Sequence, residues 1–506
     1  MVEEENCHMR EKGKEILKEY YVFFIFFLLN LIFYSVFSIW HYAADSYLTE
    51  ILGWKAVEGV YYSGGRWLMC AFCRFLDFFQ ISYAMGIRLS WMIAILSLSG
   101  AALAVYRHLQ AHKEKPGGVG STFPKKAWSA LVAFMLISNV FVLEDFIFAE
   151  YTGIMCLGIF FDVLGASCIL KFLEQKKPAW YILGIACGIL GINGHQGSFG
   201  ILVIVCILFA TDMFDSWKIF IRNNIVIGSA YLLPALVNLA QTRLAGNVRV
   251  SGSGTDILAS VRKITEGVYH LGISTANFLP RRFYVGWIFI LTMYFLYCVA
   301  LRKNKKAMLF GVYVLLITVL GIYAPFLVTT YDAIDIVPRT VYIMGGIIPM
   351  LLITLELYVG WEKAGRMLLP AIAGIFLAVQ YLGILRIGVG NVRAVEADFY
   401  ETQFVVNRLL DYEKETGTKV RKMALYWDAD VTGHAEGVVG FGAINERMLS
   451  NEWAAPFAIQ CHQGFEIWQT DKSEEVYKKY FEGKDWSGMD EEQMVMIGDT
   501  LHLCAY

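Results

Sequence analysis

The sequence predicts an all-α polytopic membrane protein that ends in a small α/β domain, and three observations support this class. The 506 residues are 57% hydrophobic and only 17% charged, whereas soluble domains average about 45–50% apolar and about 25% charged residues. Apolar runs long enough to cross a bilayer recur up to about residue 387, and the loops between them alternate in charge. Residues 390–506 contain no such run.

The chain divides into three parts at the first and last apolar runs. A spanning helix needs about 20 apolar residues, and only helices are plausible here because each satisfies its own backbone in lipid. Residues 1–19 are charged in both signs, and no short apolar core with a small-residue cleavage site follows, so the first run is interpreted as a retained span. Residues 20–389 then form the transmembrane domain and residues 390–506 a soluble domain. We predict about eleven spans, at 20–40, 84–106, 126–143, 150–171, 179–194, 197–213, 223–241, 283–301, 307–327, 340–358 and 367–387.

The loop charges predict which side each span end faces. With a cytoplasmic N-terminus, the outside loops LEDFIFAE, NGHQG and TTYDAIDIVPR hold one Lys or Arg between them. This is the positive-inside pattern, and an odd number of spans places the C-terminal domain outside. The inside loops are all basic: RHLQAHKEKPGGVGSTFPKK, KFLEQKK, SWKIFIRNN, LRKNKK and EKAGR. One outside loop, 242–282, breaks the rule with Arg243, Arg249, Arg262, Lys263, Arg281 and Arg282.

The C-terminal domain is predicted to mix one helix with short strands. EADFYETQFVVNRLLDYEKETG has apolar residues at helical spacing, whereas KMALYW and MVMIGDTLHLCAY are typical of strands. Cys461 and Cys504 lie in this domain, and outside the cell they either pair in a disulfide or stay free. Cys70 and Cys73 form a CxxC pair in the transmembrane domain, where no second pair supports zinc and packing on a helix is favoured.

Polar side chains of the outside loops share one face on this topology, and they have the chemistry of a transfer site. A carboxylate can take a proton from an attacking hydroxyl, arginines can clamp a phosphate, and a histidine can serve either role. Each candidate also has a simpler interpretation: an acid can just be solvated, a histidine can have a structural role, and an arginine can snorkel to the lipid headgroups. The candidates are Asp45, Glu50, Glu58 and Arg66, then Glu144, Asp145 and Glu150, then His195 and Gln196, then Lys263, His270, Arg281 and Arg282, and finally Asp332, Asp335 and Arg339.

The order of four motifs along the chain resembles a known family. AADSYLTEILGW…GGRWLMCAF follows the first span, SNVFVLEDFIF and GHQGSFGIL come later, and VPRTVYIMGG opens a late span. These are similar to the motifs of GT-C class membrane glycosyltransferases, and in particular of the Gtr type II (GtrII) glucosyl transferase family. The chain departs from the pattern at three points. Asp45 is a single acid where the family usually has two. The arginine of that motif is absent, and Leu48 and Thr49 occupy the neighbourhood where it is expected. His195 replaces a tyrosine before Gln196.

The resemblance implies a GT-C-like fold and an inverting hexosyl transfer, in this family glucosyl transfer, from a polyprenyl-phosphate sugar to a cell-surface glycan at the outer face of the membrane. No cofactor is expected, and dependence on a divalent metal is left open. The partners are the lipid-linked donor, the glycan acceptor and the bilayer, without nucleic acid, as the net charge of −2 also indicates. Together, the loop charges and the resemblance predict Asp45, Glu144, Asp145 and Glu150 as catalytic acids, and Arg66, His195, Gln196, Arg281, Arg282 and Arg339 as substrate- and phosphate-binding residues.

Three other functions are compatible with a polytopic chain. A transporter or lipid-linked sugar flippase typically has internal repeats and ionisable residues at mid-span, and here no clear repeat is present and Asp162 and Glu356 are the few deep candidates. A surface-glycan polymerase would use a large outside loop with arginines, such as 242–282. A purely structural protein leaves the acids of the outer loops without a role.

Overall fold

The computed structural model describes residues 20–38, 42–113, 125–210, 212–247, 257–359, 365–428, 431 and 433–506. Several predictions fall outside the described residues. They are the charged segment 1–19, Arg249, and parts of the basic loops 107–126 and 362–366.

Helices make up most of the described chain, as the sequence predicts for a polytopic membrane protein. Among the described residues, nine helical stretches are long and apolar enough to cross a membrane, and the shorter apolar helices Pro178–Gly194 and Gln196–Phe209 lie where two further spans are predicted. The helices are α1 (Tyr20–Ser38), α2 (Ala44–Leu52), α3 (Trp54–Ser63), α4 (Trp67–Phe78), α5 (Tyr83–Lys113), α6 (Lys125–Ile137), α7 (Leu143–Ile147), α8 (Thr152–Gln175), α9 (Pro178–Gly194), α10 (Gly200–Phe209), α11 (Trp217–Leu244), α12 (Ile257–Ser274), α13 (Phe283–Arg302), α14 (Lys305–Tyr323), α15 (Tyr342–Gly345), α16 (Ile347–Thr354), α17 (Gly365–Thr416), α18 (Ala455–Gln463) and α19 (Glu474–Tyr480).

The bundle has central and peripheral helices. In the most apolar part of each stretch, 89% of residues are buried for α6 with α7 and 72% for α8, against 28% for α11, α13 and α14. The peripheral helices therefore present apolar side chains to lipid. Close packing at the centre depends on small residues, as is common between membrane helices. A Cβ atom at Gly158 of α8 would lie 2.9 Å from the carbonyl oxygen of Gly191 in α9.

Three short helices, α2, α3 and α4, fill the connection between the first two spans. A tight turn at Gly64 and Gly65 separates α3 from α4, and Arg66 directly precedes α4. Gly65 has a φ of +69°, and a side chain there would collide with Thr242 of α11. Asn238, one turn earlier on α11, donates a hydrogen bond of 2.7 Å to the Gly65 carbonyl. The turn is thus fixed against the membrane bundle.

Loop 242–282 contains a helix that the sequence analysis did not predict. Helix α12 is amphipathic, with Ile264 and Leu271 buried and charged residues on its exposed face. Lys263 on this helix donates to the carbonyl of Tyr331 at 2.9 Å and lies over that tyrosine's ring. The basic residues of this loop that the structure describes are therefore spread along α12 and its flanks.

The C-terminal domain is an α/β unit, as predicted. Strands β1 (Lys422–Trp427), β2 (Trp468–Gln469), β3 (Met494–Ile497) and β4 (Thr500–Ala505) form one sheet in the order β2-β1-β4-β3. Strand β1 pairs in parallel with β2 and β4, while β3 and β4 are antiparallel. Helix α17 runs without interruption from the last predicted span into this domain, so the predicted boundary at residue 390 falls within a continuous helix.

The disulfide between Cys461 and Cys504, left open by the sequence, is not formed. Both are free thiols. Cys461 Sγ lies 3.7 Å from the carbonyl of Tyr47, whereas Cys504 is buried beside Tyr426 and Phe481. The two thiols serve different packing clusters, which is why sharing a compartment does not bring them together. Cys70 and Cys73 lie on α4, buried within the core of the membrane domain.

We predict that Gly65→Ala destabilises the protein by about 1–2 kcal/mol, because the left-handed conformation is costly with a Cβ atom. The loss is larger if the Thr242 side chain cannot move away from the new methyl group. Gly59→Ala is the matched control: Gly59 lies inside α3 with open space around it, so alanine should stabilise by roughly 0.5–1 kcal/mol. Thermal unfolding of both purified variants in one detergent measures the difference. Equal melting temperatures for the two variants would contradict the turn described here.

Candidate active site

The first acidic cluster joins α2 to the loop between α7 and α8. Asp45 lies in the first turn of α2, where the helix dipole favours a negative charge, and it is partly buried. The next residue, Ser46, donates a hydrogen bond of 2.6 Å from its hydroxyl to Glu150. Asp45 and Glu150 come from segments about a hundred positions apart, and Ser46 holds them at one place.

Glu150 is the acid of this cluster whose environment most favours a proton. Its carboxyl is fully buried. Burial raises the pKa of Glu150 to about 8, the bond from Ser46 opposes this, and the charge of Asp45 adds to the rise. An acid with a pKa near neutrality can give or take a proton at physiological pH. Glu150 therefore has the character of a proton-exchanging group, beside the more exposed Asp45.

A second cluster centres on the ion pair between Glu144 of α7 and Arg339. Glu144 is fully buried. One of its carboxylate oxygens accepts a 2.9 Å hydrogen bond from the backbone N–H of Arg339, and the other accepts from the Arg339 guanidinium. The guanidinium also lies 4.7 Å from the centre of the Phe148 ring, and the side chain remains 21% exposed. Arg339 is thus held in place by Glu144 while part of it stays accessible.

Asp145 and His195 face each other beside this pair. Nδ1 of His195 lies 3.7 Å from Oδ1 of Asp145, which is longer than a hydrogen bond. Both atoms are buried and have no hydrogen-bond partner within the described part of the chain. Burial lowers the pKa of His195 most, and the charges of Arg66 and Arg339 lower it further. A polar group entering between the two side chains would satisfy both of them.

Arg66 reaches the same place from the turn between α3 and α4. Its Nε donates to Oε1 of Gln196 at 3.4 Å, and the Gln196 amide donates to the carbonyl of Gly64 at 2.8 Å and to Asn238 at 3.3 Å. Gln196 follows His195 in the predicted turn, which the structure forms between α9 and α10. The glutamine therefore ties this turn to the Gly-Gly-Arg stretch.

Tyr61 of α3 connects the two clusters. Its ring centroid lies 4.2 Å from that of Tyr151, next to Glu150. Burial raises the pKa of Tyr61 most, the charges of Asp45 and Glu150 raise it further, and Arg66 opposes them. One side chain thus feels groups of both clusters. The acids and arginines of the first loop, the second loop, the α9–α10 turn and the start of the last predicted spans form one polar site.

Two predicted phosphate-binding residues are not brought into this site. Arg281 and Arg282 are exposed at the start of α13, and no contact joins them to the site's acids among the described residues. His270 is also exposed, and Lys263 is engaged by Tyr331. The sequence analysis did not identify Ser46, Tyr61 and Asn238 as site residues, because no recognisable functional motif points to them. The position of Ser46 directly after Asp45 is the one signal that could have drawn attention to it.

An apolar cavity of about 180 Å³ begins beside the site and lies between α10, α11 and α14. Gly200, four residues after Gln196, lines the cavity. A side chain at Gly200 would collide with Ile343, four residues after Arg339. Leu232 and Leu320 line the cavity and are exposed on the outer surface of the bundle. The cavity therefore opens sideways, towards the region that lipid occupies.

No cluster of three His, Cys, Asp or Glu side chains in the described ranges is arranged to hold a metal ion.

Largely buried acids, a buried histidine and two partly exposed arginines lie at one end of a polytopic bundle, near a lateral apolar cavity, and have the chemistry of a site for polar groups beside lipid. Comparison with family models makes this specific. The glucosyl transferase GtrII model matches residues 41–353, so the chain belongs to the GtrII glucosyl transferase family and is a glycosyltransferase. No curated protein matches the chain. The matched range includes Asp45, Glu144, Glu150, His195 and Arg339 and ends before the C-terminal domain.

We predict that Glu150 makes the protein less stable as pH rises from about 4.5 to about 8. In that window the folded protein keeps a proton on Glu150 that the unfolded chain has lost, so raising the pH favours unfolding. Glu150→Gln has no proton to lose, and its melting temperature should fall less between pH 5 and pH 8 than that of the parent. Glu475→Gln, at an exposed position, should keep the parental slope. A parental slope in Glu150→Gln would mean that the carboxyl is charged throughout.

Proposed function

We propose that the protein moves a glucosyl group from a polyprenyl-phosphate sugar to a cell-surface glycan, with inversion at the anomeric carbon and at the outer face of the membrane. The observation that carries the proposal is the convergence of Asp45, the Glu144–Arg339 pair and Arg66 at one end of the bundle, next to an apolar cavity. A lipid-linked phosphate sugar has the same three parts: a sugar, an anionic phosphate and an apolar tail.

Asp45 is the proposed base. Its carboxylate takes the proton from the acceptor hydroxyl as that oxygen attacks the anomeric carbon, and the bond to the donor phosphate breaks. One carboxylate suffices for a direct displacement, because inversion forms no covalent enzyme intermediate. Ser46 and Glu150 support this role: Ser46 follows Asp45 in the chain and bonds Glu150. Because the pKa of Glu150 is about 8, its carboxyl is mostly protonated at neutral pH and adds little negative charge beside the base.

Arg339 and Arg66 are the proposed partners of the leaving phosphate. Negative charge builds up on the phosphate oxygens as the bond breaks, and fixed cationic donors in a water-poor site stabilise that charge. Glu144 orients Arg339 through its backbone and side chain, and Gln196 orients Arg66. His195, whose pKa is lowered, is neutral at physiological pH and can donate or accept a hydrogen bond there. The proposed transfer needs no cofactor, since the donor carries its own leaving group.

The cavity between α10, α11 and α14 is the proposed entry for the first part of the polyprenyl tail. It is lined by Val203, Ile207, Leu232, Ile317 and Leu320 among others, and it opens towards lipid. The cavity lining includes Gly200, four residues after Gln196, and the backbone of Gly197 packs against that of Arg339. This favours a phosphate at the Gly200 end of the cavity. The positive-inside pattern of the loops supports placing this end of the bundle, and the C-terminal domain with it, outside the cytoplasm.

We predict that Asp45→Asn folds and inserts normally but loses on the order of a hundred- to ten-thousand-fold of the transfer rate, as is typical for removal of a general base. The matched control is Asp471→Asn, at an exposed position of the C-terminal domain, which should keep parental activity. The assay measures transfer from polyprenyl-phosphate glucose to surface polysaccharide isolated from the deletion strain. Parental activity in Asp45→Asn, with activity abolished by changes at Glu144, Asp145 or Glu150, would place the base in the second outer loop.

We predict that Arg339→Lys weakens donor use by about ten- to a hundredfold, because a point charge replaces a guanidinium that offers two parallel hydrogen bonds. Lysine is more informative than alanine here. Alanine would leave the buried Glu144 unpaired, which typically costs about 3–5 kcal/mol of stability. Arg74→Lys, at an exposed arginine paired with Glu58, is the control and should keep parental kinetics. Unchanged donor kinetics in Arg339→Lys and Arg339→Ala alike would reduce Arg339 to an interfacial anchor.

A further inference from the structure

One segment of the C-terminal domain leaves that domain and packs into the membrane domain. We name residues 433–447 the tail loop; two isolated bridges, His434 with Glu446 and Phe441 with Ile444, shape it. Val439 and Ile444 are buried in the hydrophobic core of the membrane bundle, and Phe441 and Ala443 pack against that core. The sheet and helices of the C-terminal domain have a separate core, which includes Val405, Met423, Leu449 and Leu501.

The tail loop reaches the polar site. At Gly442, a Cβ atom would lie 3.3 Å from Val337 and 3.9 Å from the Glu144 carboxylate. Asn445 fastens the loop, since its side-chain amide donates to the Val439 carbonyl at 2.7 Å. The loop therefore lies against the second outer loop and against the residues that lead to Arg339.

Glu446, at the end of the tail loop, carries an oriented carboxylate. Its Oε1 accepts a 2.9 Å hydrogen bond from the Asn451 amide, and its other oxygen has no partner within the ranges that the structure describes. Burial raises the pKa of Glu446 most, the Asn451 bond lowers it, Asp45 raises it and Arg339 lowers it. The charges of both the proposed base and the proposed phosphate partner thus act on this carboxyl.

The position of Glu446 relative to Asp45 is held by direct contacts. Tyr47, two residues after Asp45, has its hydroxyl 2.7 Å from Nε2 of His462 in α18. On the other side of Glu446, Met448 donates its backbone N–H to Asp398 of α17 at 2.9 Å, and Arg447 is paired with Glu401 at 2.9 Å. The C-terminal domain therefore docks on the helix that carries the base, and the residues directly after Glu446 are fixed to α17.

We propose that Glu446 is a further substrate-binding residue, which accepts a hydrogen bond from a hydroxyl of the acceptor sugar; this rests on the proposed function. A carboxylate only accepts hydrogen bonds, which suits sugar hydroxyls, and it repels a phosphate, which excludes the donor's charged group. The tail loop belongs to the soluble domain. A polymeric acceptor approaches from the side of that domain, whereas the donor arrives through the lipid. The C-terminal domain thereby takes part in acceptor recognition, although the family match ends at residue 353.

The variant Glu446→Gln tests this inference. Glutamine keeps the shape and an oxygen for Asn451 but loses the charge, so the KM for acceptor polysaccharide should rise about tenfold or more, as expected for a lost hydrogen bond to a charged group. The KM for polyprenyl-phosphate glucose and kcat should change by less than about twofold. Glu475→Gln is the matched control and should keep all three constants. Asn451→Ala, which frees the carboxylate without removing it, should give a smaller rise in acceptor KM.

A binding measurement separates this inference from the proposed function. Polysaccharide isolated from the deletion strain is titrated onto purified parent and variant proteins without any donor, and Glu446→Gln should bind it about tenfold more weakly. A parent protein that binds this polysaccharide but transfers no glucose to it would overturn the proposed donor while leaving Glu446 supported. Equal affinity of parent and Glu446→Gln, a parent that does not bind, or a rise in donor KM instead of acceptor KM would overturn the role of Glu446.

Discussion

The ion pair between Glu144 and Arg339 is the constraint on which the site depends. A carboxylate with no solvent exposure needs a partner, since an unpaired buried charge is very costly. Arg339 supplies that partner twice, through its backbone and its guanidinium. The pair fixes α7 to the segment directly before α15, and a side chain at Gly197 would collide with the Arg339 backbone. Three distant chain segments therefore meet at one point, and Asp145 and His195 are placed there as a consequence.

The parts that the sequence predicts well depend on local patterns. Apolar length locates the nine long helical stretches of the described residues, and the short apolar runs in KMALYW and in MVMIGDTLHLCAY give β1, β3 and β4 at their observed places. The turn at Gly64 and Gly65 and the turn before Gln196 follow from glycine content and loop length. Asp45, Glu144 and Arg339 are identifiable because each lies at the end of an apolar run. The family motifs include the same three residues.

The parts that the sequence does not predict depend on contacts between distant residues. Ser46 bonds Glu150 across 104 positions, and the tail loop enters a core built some hundreds of residues earlier. No local period encodes such pairings. Arg281 and Arg282 are arginines beside a predicted span, as Arg339 is, yet they lie exposed directly before α13. The residue type alone does not tell whether an arginine side chain points into a site or away from it. The same reason applies to Cys461 and Cys504, which share a domain but belong to separate clusters.

The central claim is a direct displacement at a lipid-linked phosphate sugar, with Asp45 as base and Arg339 on the leaving group. The most direct measurement is transfer by the purified protein in liposomes that contain polyprenyl-phosphate glucose of known anomeric configuration, with the product linkage determined by NMR. The account predicts a linkage of the opposite configuration to the donor. A linkage of the same configuration, or transfer from a nucleotide sugar and none from the lipid-linked donor, would contradict it.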